Sequence, residues 1–136
     1  MQSKSKRSRN DEIKENYLAF VDAHLADLLA GRETEMLHIN EIARKLFLSP
    51  GHLTNTLKLV TGHHPCYYYG LKIIEATNNL LLNTSLSASE IARRLTFDAS
   101  NFVKFYKSLT GITPTQFRNG IAPPKQMPIE EKEYIR

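Results

Sequence analysis

The chain has 136 residues, of which 41% are apolar and 24% are charged, and this length suits one domain or two small ones that share a core. A single cysteine excludes an internal disulfide, and no apolar run approaches the roughly 18 residues that a membrane-spanning helix needs. Residues 11–37 carry a net charge of −5, whereas residues 38–120 carry +5. The sequence therefore argues against membrane proteins, disulfide scaffolds and multidomain enzymes. It predicts a cytoplasmic protein whose central part suits a polyanionic partner.

The first predicted element follows a basic segment at residues 1–10, which we expect to be flexible. Apolar side chains recur at helical spacing from Asn10 or Asp11 to Ala30, and Gly31 is expected to end that helix. This helix opens a first subdomain that we expect to span residues 11–64.

A repeat follows this helix. Residues 41–65 match residues 90–114 without a gap at a constant offset of 49, and nine of the 25 pairs are identical. In the first copy Ser49 is the expected N-cap, Pro50 takes the first helical position and Gly62 ends the helix. Two short helices around a tight turn form a helix-turn-helix unit, so the repeat predicts two such units.

A linker helix over residues 65–84 joins the first copy to a second subdomain over residues 85–120. Here Ser87 and Glu90 form a capping box, Asp98 is the N-cap of the second helix and Gly111 its stop. Thr113 opens a last short helix, and we expect the tail at residues 121–136 to be mobile. The predicted fold is all-α, with two pseudo-repeated units joined by a long helix.

The second helix of each unit carries the candidate base readers, because this helix enters the major groove of DNA in helix-turn-helix proteins. Asn pairs with adenine, Lys reaches guanine acceptors, and the methyl groups of Thr and Val suit the thymine methyl. With the apolar side chains assigned inward, the predicted readers are Gly51, His52, Thr54, Asn55, Ser100, Asn101, Val103 and Lys104. Asn55 and Lys104 occupy equivalent positions and differ, so we expect an asymmetric target.

The cations around these helices are the candidate phosphate ligands. The first helix of each unit crosses the DNA backbone, and its Lys and Arg side chains suit phosphate contact. The predicted set is Arg44, Lys45, Lys58, Arg93, Arg94 and Lys107.

The length of the linker helix suits DNA as well. A helix of about 19 residues rises about 28 Å, close to the roughly 34 Å of one turn of B-DNA. One chain can therefore span two successive major grooves.

Three stretches carry a resemblance to a known family. INEIARKLFLSPGHLTNTLKLVTG, SEIARRLTF and FYKSLTGITPTQFR resemble the DNA-binding domain of AraC/XylS-family bacterial transcription regulators, over roughly Leu37 to Arg118. The resemblance implies seven helices, binding to double-stranded promoter DNA and activation through contact with RNA polymerase. It also implies a separate effector-binding domain, for which this chain has no room, so we expect either a small stand-alone regulator or the output domain of a longer protein that carries the effector domain. Ile73 and Thr96 depart from the family pattern, which commonly has Arg and Gly there.

Other interpretations of these residues have less support in the sequence. His52, His63, His64 and Cys66 lie close in sequence, but their side chains diverge from a helix start, so we expect no metal site, a capping histidine and a packed Cys66. The tyrosines at residues 67–69 suit a core better than base stacking, with Tyr68 as the core ring. No nucleophile–base pair or phosphate loop indicates an enzyme, and we expect no cofactor. The remaining alternative is a helical adaptor that binds protein through its acidic first helix and DNA only weakly.

Overall fold

The computed structural model describes residues 8–124 of the chain. Seven helices and no strands are found in this range, which confirms the all-α prediction. The helices are α1 (Arg9–Leu29), α2 (Ile39–Lys45), α3 (Pro50–Thr61), α4 (Pro65–Asn83), α5 (Ala88–Arg94), α6 (Ala99–Thr110) and α7 (Pro114–Arg118). None of the helices in residues 8–124 is long and apolar enough to cross a membrane. Most of the predicted flexible segment and tail, residues 1–7 and 125–136, lies outside the described residues.

The helices begin where the capping signals predict. The side chains of Ser49, Ser87 and Thr113 each accept a hydrogen bond from the backbone amide three residues ahead. Gly62 and Gly111 end α3 and α6 in the left-handed conformation, with φ of 85° and 89°. One boundary differs from the prediction, since α1 starts at Arg9 because Ser8 and Asp11 form a capping box ahead of it.

One core runs through both units. From α1 it takes six side chains that recur at helical spacing: Ile13, Tyr17, Val21, His24, Leu25 and Leu28. Ala43 and Ala92, at equivalent positions in α2 and α5, are fully buried, as expected where one helix crosses close over another. Because α1 packs against α3, α4 and α5, it is a shared wall of the molecule.

Both units are anchored on α4 by polar contacts. At its start, the buried Tyr17 hydroxyl donates to the Pro65 carbonyl at 2.9 Å. Near its end, Tyr106 donates to Asn78 Oδ1, and burial raises the pKa of Tyr106 to about 12. Arg118 then donates from Nε and Nη2, at 3.0 Å each, to the carbonyls of Leu81 and Thr84, which covers acceptors that the end of a helix leaves open. The two ends of α4 are therefore fixed to different units.

Two expectations about α4 were wrong in detail. Tyr67 and Tyr69 are buried, whereas Tyr68 is half-buried and packs against the core. Cys66 is exposed rather than packed.

Ile73 is buried in the core at the position where the family commonly has Arg, and the neighbouring Lys72 pairs with Asp22 of α1 at 3.1 Å.

The turns inside the two units adopt an unusual backbone conformation. Phe47 and Thr96, which are equivalent in the repeat, have φ of 64° and 65°. Only glycine adopts this region at little cost, and a β-branched residue such as Thr is especially disfavoured there. The turn geometry therefore imposes strain at both positions, of the order of 1–3 kcal/mol each.

We expect Thr96→Gly to raise the free energy of unfolding by about 1 kcal/mol, because relief of strain outweighs the added entropy of the unfolded chain. Urea denaturation measures the change. Thr96→Ala is the control, since alanine keeps a Cβ and gains no relief. Equal stabilisation by glycine and alanine would contradict the role of the backbone conformation.

His24 is a buried titratable group in the wall formed by α1. Its Nε2 accepts a hydrogen bond from the Leu37 amide at 3.0 Å, which requires the neutral imidazole. Burial lowers the pKa of His24, against the opposing influence of Glu33, Asp27 and Glu41. The contact ties the segment before α2 to α1.

Stability should therefore fall as the pH drops. The unfolded histidine takes up a proton near its ordinary pKa of about 6.5, whereas the folded one resists it, so the His24 contribution is complete above that pH and is lost as the pH falls through the lowered folded pKa. We expect His24→Gln, which keeps an acceptor but does not titrate, to lose less stability than the parent between pH 7.5 and pH 5 in urea denaturation. An identical pH dependence in both proteins would contradict this role. The remaining dependence is expected to include His64, whose pKa burial also lowers.

Candidate nucleic-acid interface

The second helix of each unit has one buried and one exposed face. Leu53 and Leu57 of α3, and Phe102 and Tyr106 of α6, are fully buried. On the outer faces lie most of the predicted DNA-contacting side chains of these helices: Gly51, His52, Asn55, Lys58, Ser100, Asn101, Lys104 and Lys107, all exposed. Thr54 and Val103, which are equivalent in the repeat, are half-buried at the border of the faces. The structure thus brings the candidate readers together in two groups, one on each helix.

The start of α6 is organised by Asp98. Its Oδ2 accepts hydrogen bonds from the amides of Ser100 and Asn101 and, at 2.9 Å, from the Ser100 hydroxyl. The Ser100 hydroxyl is the main cause that lowers the pKa of Asp98, and Lys104 adds a smaller effect. The hydroxyl proton of Ser100 is therefore engaged within the helix cap, whereas the Asn101 and Lys104 side chains project from the exposed face.

The start of α3 is organised in a similar way with a neutral cap. Ser49 Oγ accepts the His52 amide at 3.0 Å. The His52 and Asn55 side chains are exposed one turn apart. A methyl group at Gly51 would meet no atom within 4 Å, so this position presents open backbone. The first turns of α3 and α6 are thus fixed by local hydrogen bonds, with side chains available to a partner.

The charges of the shorter helices are separated along each axis. Glu41 and Glu90 accept the amides of His38 and Ser87 at 2.8 Å, which holds both carboxylates at the helix starts. The hydrogen bonds from Ser87 lower the pKa of Glu90. At the other ends lie the predicted phosphate ligands Arg44, Lys45, Arg93 and Arg94, all exposed. Each unit therefore presents cations while its glutamate is committed to a capping box.

Arg94 differs from the other cations of this set. Its Nη1 donates to the carbonyl of Leu29, the last residue of α1, at 3.2 Å. The guanidinium is thus held against α1, while the side chain of Arg93 beside it forms no hydrogen bond or ion pair within residues 8–124.

Sequence reasoning missed two large exposed apolar side chains on the first unit. Phe47 is 93% exposed in the turn, and Leu59 is 75% exposed in the last turn of α3. The repeat places Thr96 and Ser108 at the same offsets in the second unit. This replacement of apolar by polar residues was the available signal, and it makes the surface of the first unit more apolar than that of the second.

The histidines beside Cys66 have structural roles. His64 caps α4, as predicted, by accepting the Cys66 amide at Nδ1, and His63 stacks on Tyr67 with ring centroids 4.0 Å apart. Within residues 8–124, no group of three or more His, Cys, Asp or Glu side chains is arranged to hold a metal ion.

A family model described as a helix-turn-helix domain matches residues 42–120, more than half of the chain, and spans both units. The chain belongs to the AraC-type helix-turn-helix family. The two units accordingly form a DNA-binding domain of this type, as the sequence predicted.

Relatives of this AraC-type domain come from several bacteria. The uncharacterized HTH-type transcriptional regulator YtdP of Bacillus subtilis is 30% identical over 83 residues, which are 60% of this chain but 11% of YtdP. The C-terminal domain of the two-component response regulator yesN from Fusobacterium nucleatum is 30% identical, with a TM-score of 0.58 over 69% of this chain and 93% of that one. The C-terminal domain of AraT, a response regulator from Geobacillus stearothermophilus, is 23% identical and shares the fold, with a TM-score of 0.70 over 90% and 95% of the two chains.

Proposed function

We propose that the chain binds double-stranded promoter DNA with α3 and α6 in successive major grooves. The observation that carries this proposal is the attachment of two similar units to the two ends of α4, a helix of 19 residues. Such a helix rises about 28 Å, and the turns at its ends add the remainder of the roughly 34 Å that separate successive major grooves on one face of B-DNA.

The exposed faces of α3 and α6 supply the base contacts in this proposal. Asn55 suits a bidentate pair with adenine, and Lys104 suits the O6 and N7 acceptors of guanine. His52 and Asn101 flank them one turn nearer the helix starts, and Gly51 allows close approach of the backbone. Thr54, Val103 and Ser100 complete the predicted set at the margins. Because equivalent positions carry different side chains, the two half-sites differ and the operator is asymmetric.

Phosphate contacts supply the remaining affinity. We assign them to exposed cations that flank the recognition helices: Arg44, Lys45, Lys58, Arg93 and Lys107. Each phosphate that a cation neutralises releases counterions from the duplex, which makes affinity fall with salt. The acidic residues of α1 lie outside both helix-turn-helix units in the sequence, and the net charge of +5 over residues 38–120 supports DNA contact by this part of the chain.

A matched pair of substitutions separates the two kinds of contact. We expect Lys104→Ala to cost about 1–3 kcal/mol of binding free energy and to relax discrimination at one half-site, because a base contact is lost. Arg93→Ala should weaken binding to all sequences similarly and reduce the salt slope by about one unit. Fluorescence anisotropy with operator and scrambled duplexes, at several salt concentrations, measures both effects. Unchanged discrimination by Lys104→Ala would remove it from the readers.

Selection of bound sequences from a random duplex pool tests the whole proposal. We expect an asymmetric motif with two blocks about one helical turn apart. A single short block would mean that only one unit reads bases. Absence of enrichment at low and high salt would favour the adaptor function instead.

A second candidate function is contact between the first unit and RNA polymerase, by which the bound chain activates transcription. The exposed Phe47 and Leu59 favour it, because apolar side chains of this size at an exposed surface suit a protein partner. Their counterparts in the second unit are polar. In this proposal the second unit supplies more of the DNA affinity, and the first adds the polymerase contact.

Phe47→Asn and Leu59→Gln should lower transcription from an operator-bearing promoter several-fold in a purified system while operator affinity stays within about twofold, because each removes an apolar contact but suits its backbone. Leu82→Gln is the control, since Leu82 is also exposed, at 65%, but lies on α4. Parallel loss of affinity and transcription would show that these side chains act on DNA.

A further inference from the structure

We infer that Arg94 is a positioning residue that sets the spacing between the two recognition helices, instead of a phosphate ligand. The inference rests on the proposed function, since spacing matters only if both helices read one duplex. It starts from the hydrogen bond by which Arg94, in α5, reaches the end of α1.

One backbone carbonyl at the end of α1 receives no hydrogen bond from the segment that follows the helix. The amides of residues 30–33 donate to the carbonyls of Ala26, Asp27 and Leu28. The Leu29 carbonyl receives Arg94 Nη1. No basic residue lies in the last turn of α1, so Arg94 also brings a positive charge to the negative end of this helix dipole. Arg94 therefore completes the cap of α1 from a distance of 65 residues in the sequence.

This cap joins the two units directly. α1 packs against α3 and anchors the start of α4 through Tyr17, so it belongs to the first unit. Arg94 lies on the first helix of the second unit, and α5 packs on α6. The position of α6 is therefore coupled to α1 through α5 as well as through α4.

A groove lies between parts of the two units. It has a volume of about 540 Å³ and is lined by residues 34–39 ahead of and at the start of α2, by residues 95–97 in the turn after α5 and by Tyr69 of α4. The segments of the two units leave open space between them at this groove. The contact of Arg94 with α1 restrains rotation of the second unit about the end of α4.

Arg93 provides the matched control. It is adjacent to Arg94, also exposed and also in the last turn of α5, but its side chain forms no hydrogen bond or ion pair with another residue of the described range. Alanine is a strong helix former, so neither Arg93→Ala nor Arg94→Ala should disturb α5 itself.

The first test uses distances in the free protein. Leu59→Cys and Ser108→Cys, at equivalent exposed positions of α3 and α6, take spin labels in a Cys66→Ser background. Pulsed electron–electron resonance should give a narrow distance distribution that broadens with Arg94→Ala and stays narrow with Arg93→Ala. Arg94→Lys, which can still donate to Leu29, should narrow it again. A distribution that Arg94→Ala leaves unchanged would overturn the inference, whether or not the chain binds DNA.

The second test uses the selected operator with its half-sites moved one base pair closer or further apart. The parent protein should lose about tenfold or more in affinity at either altered spacing, which corresponds to about 1.4 kcal/mol. At either altered spacing, Arg94→Ala should lose markedly less affinity than the parent protein, and its affinity should depend on salt as that of the parent does. Arg93→Ala should lose as much affinity at the altered spacings as the parent, but its affinity should depend less steeply on salt. A flattened slope with an unchanged penalty in Arg94→Ala would make Arg94 a phosphate ligand. If the parent selects no operator, the proposed function fails, and the distance measurement alone decides the inference.

Discussion

Both helix-turn-helix units are built on α4, and the rigidity of this one helix constrains the rest of the molecule. Tyr17 and Pro65 fix its start to the first unit, and Arg118 fixes its end to the second. A helix holds its length because every peptide in its interior is hydrogen bonded along the axis. Held by α4 alone, the second unit could still rotate about the end of that helix. The contact between α5 and α1 acts on that freedom, so length and angle are controlled by separate parts of the chain.

The residues that close the family resemblance, Gly111 to Arg118, are explained by folding. Gly111 ends α6 with φ of 89°, Thr113 caps α7, and Pro114 occupies its first position without needing an amide donor. Phe117 packs against the core, and Arg118 caps α4. These residues help to fix the position of α6, whereas the exposed side chains proposed to distinguish one operator from another precede them, in the first two turns of α6.

Helix positions could be predicted from the sequence because capping is local. Ser49, Asp98 and Gly62 each act within three or four residues of their position, so their effect is visible without the fold. The outward faces of α3 and α6 were predictable for the same reason, from helical periodicity. The hydrogen-bond partners of Arg94, Lys72 and Arg118 could not be predicted in this way. They lie 65, 50 and about 35 residues away in the sequence, and the contacts depend on how the helices pack. Which of the exposed side chains contact bases depends on the bound DNA, and the amino-acid sequence does not specify that DNA.

The repeat has a consequence for how α4 and α7 are used. The two copies remain aligned through Pro65 and Pro114, so α7 starts as α4 starts, with a glycine, two residues and a proline. The same start leads to a helix of 19 residues after the first copy and to one of five residues after the second. Because α7 is so short, Arg118 at its end lies beside the end of α4, and the second copy of this start thereby caps the helix that the first copy begins.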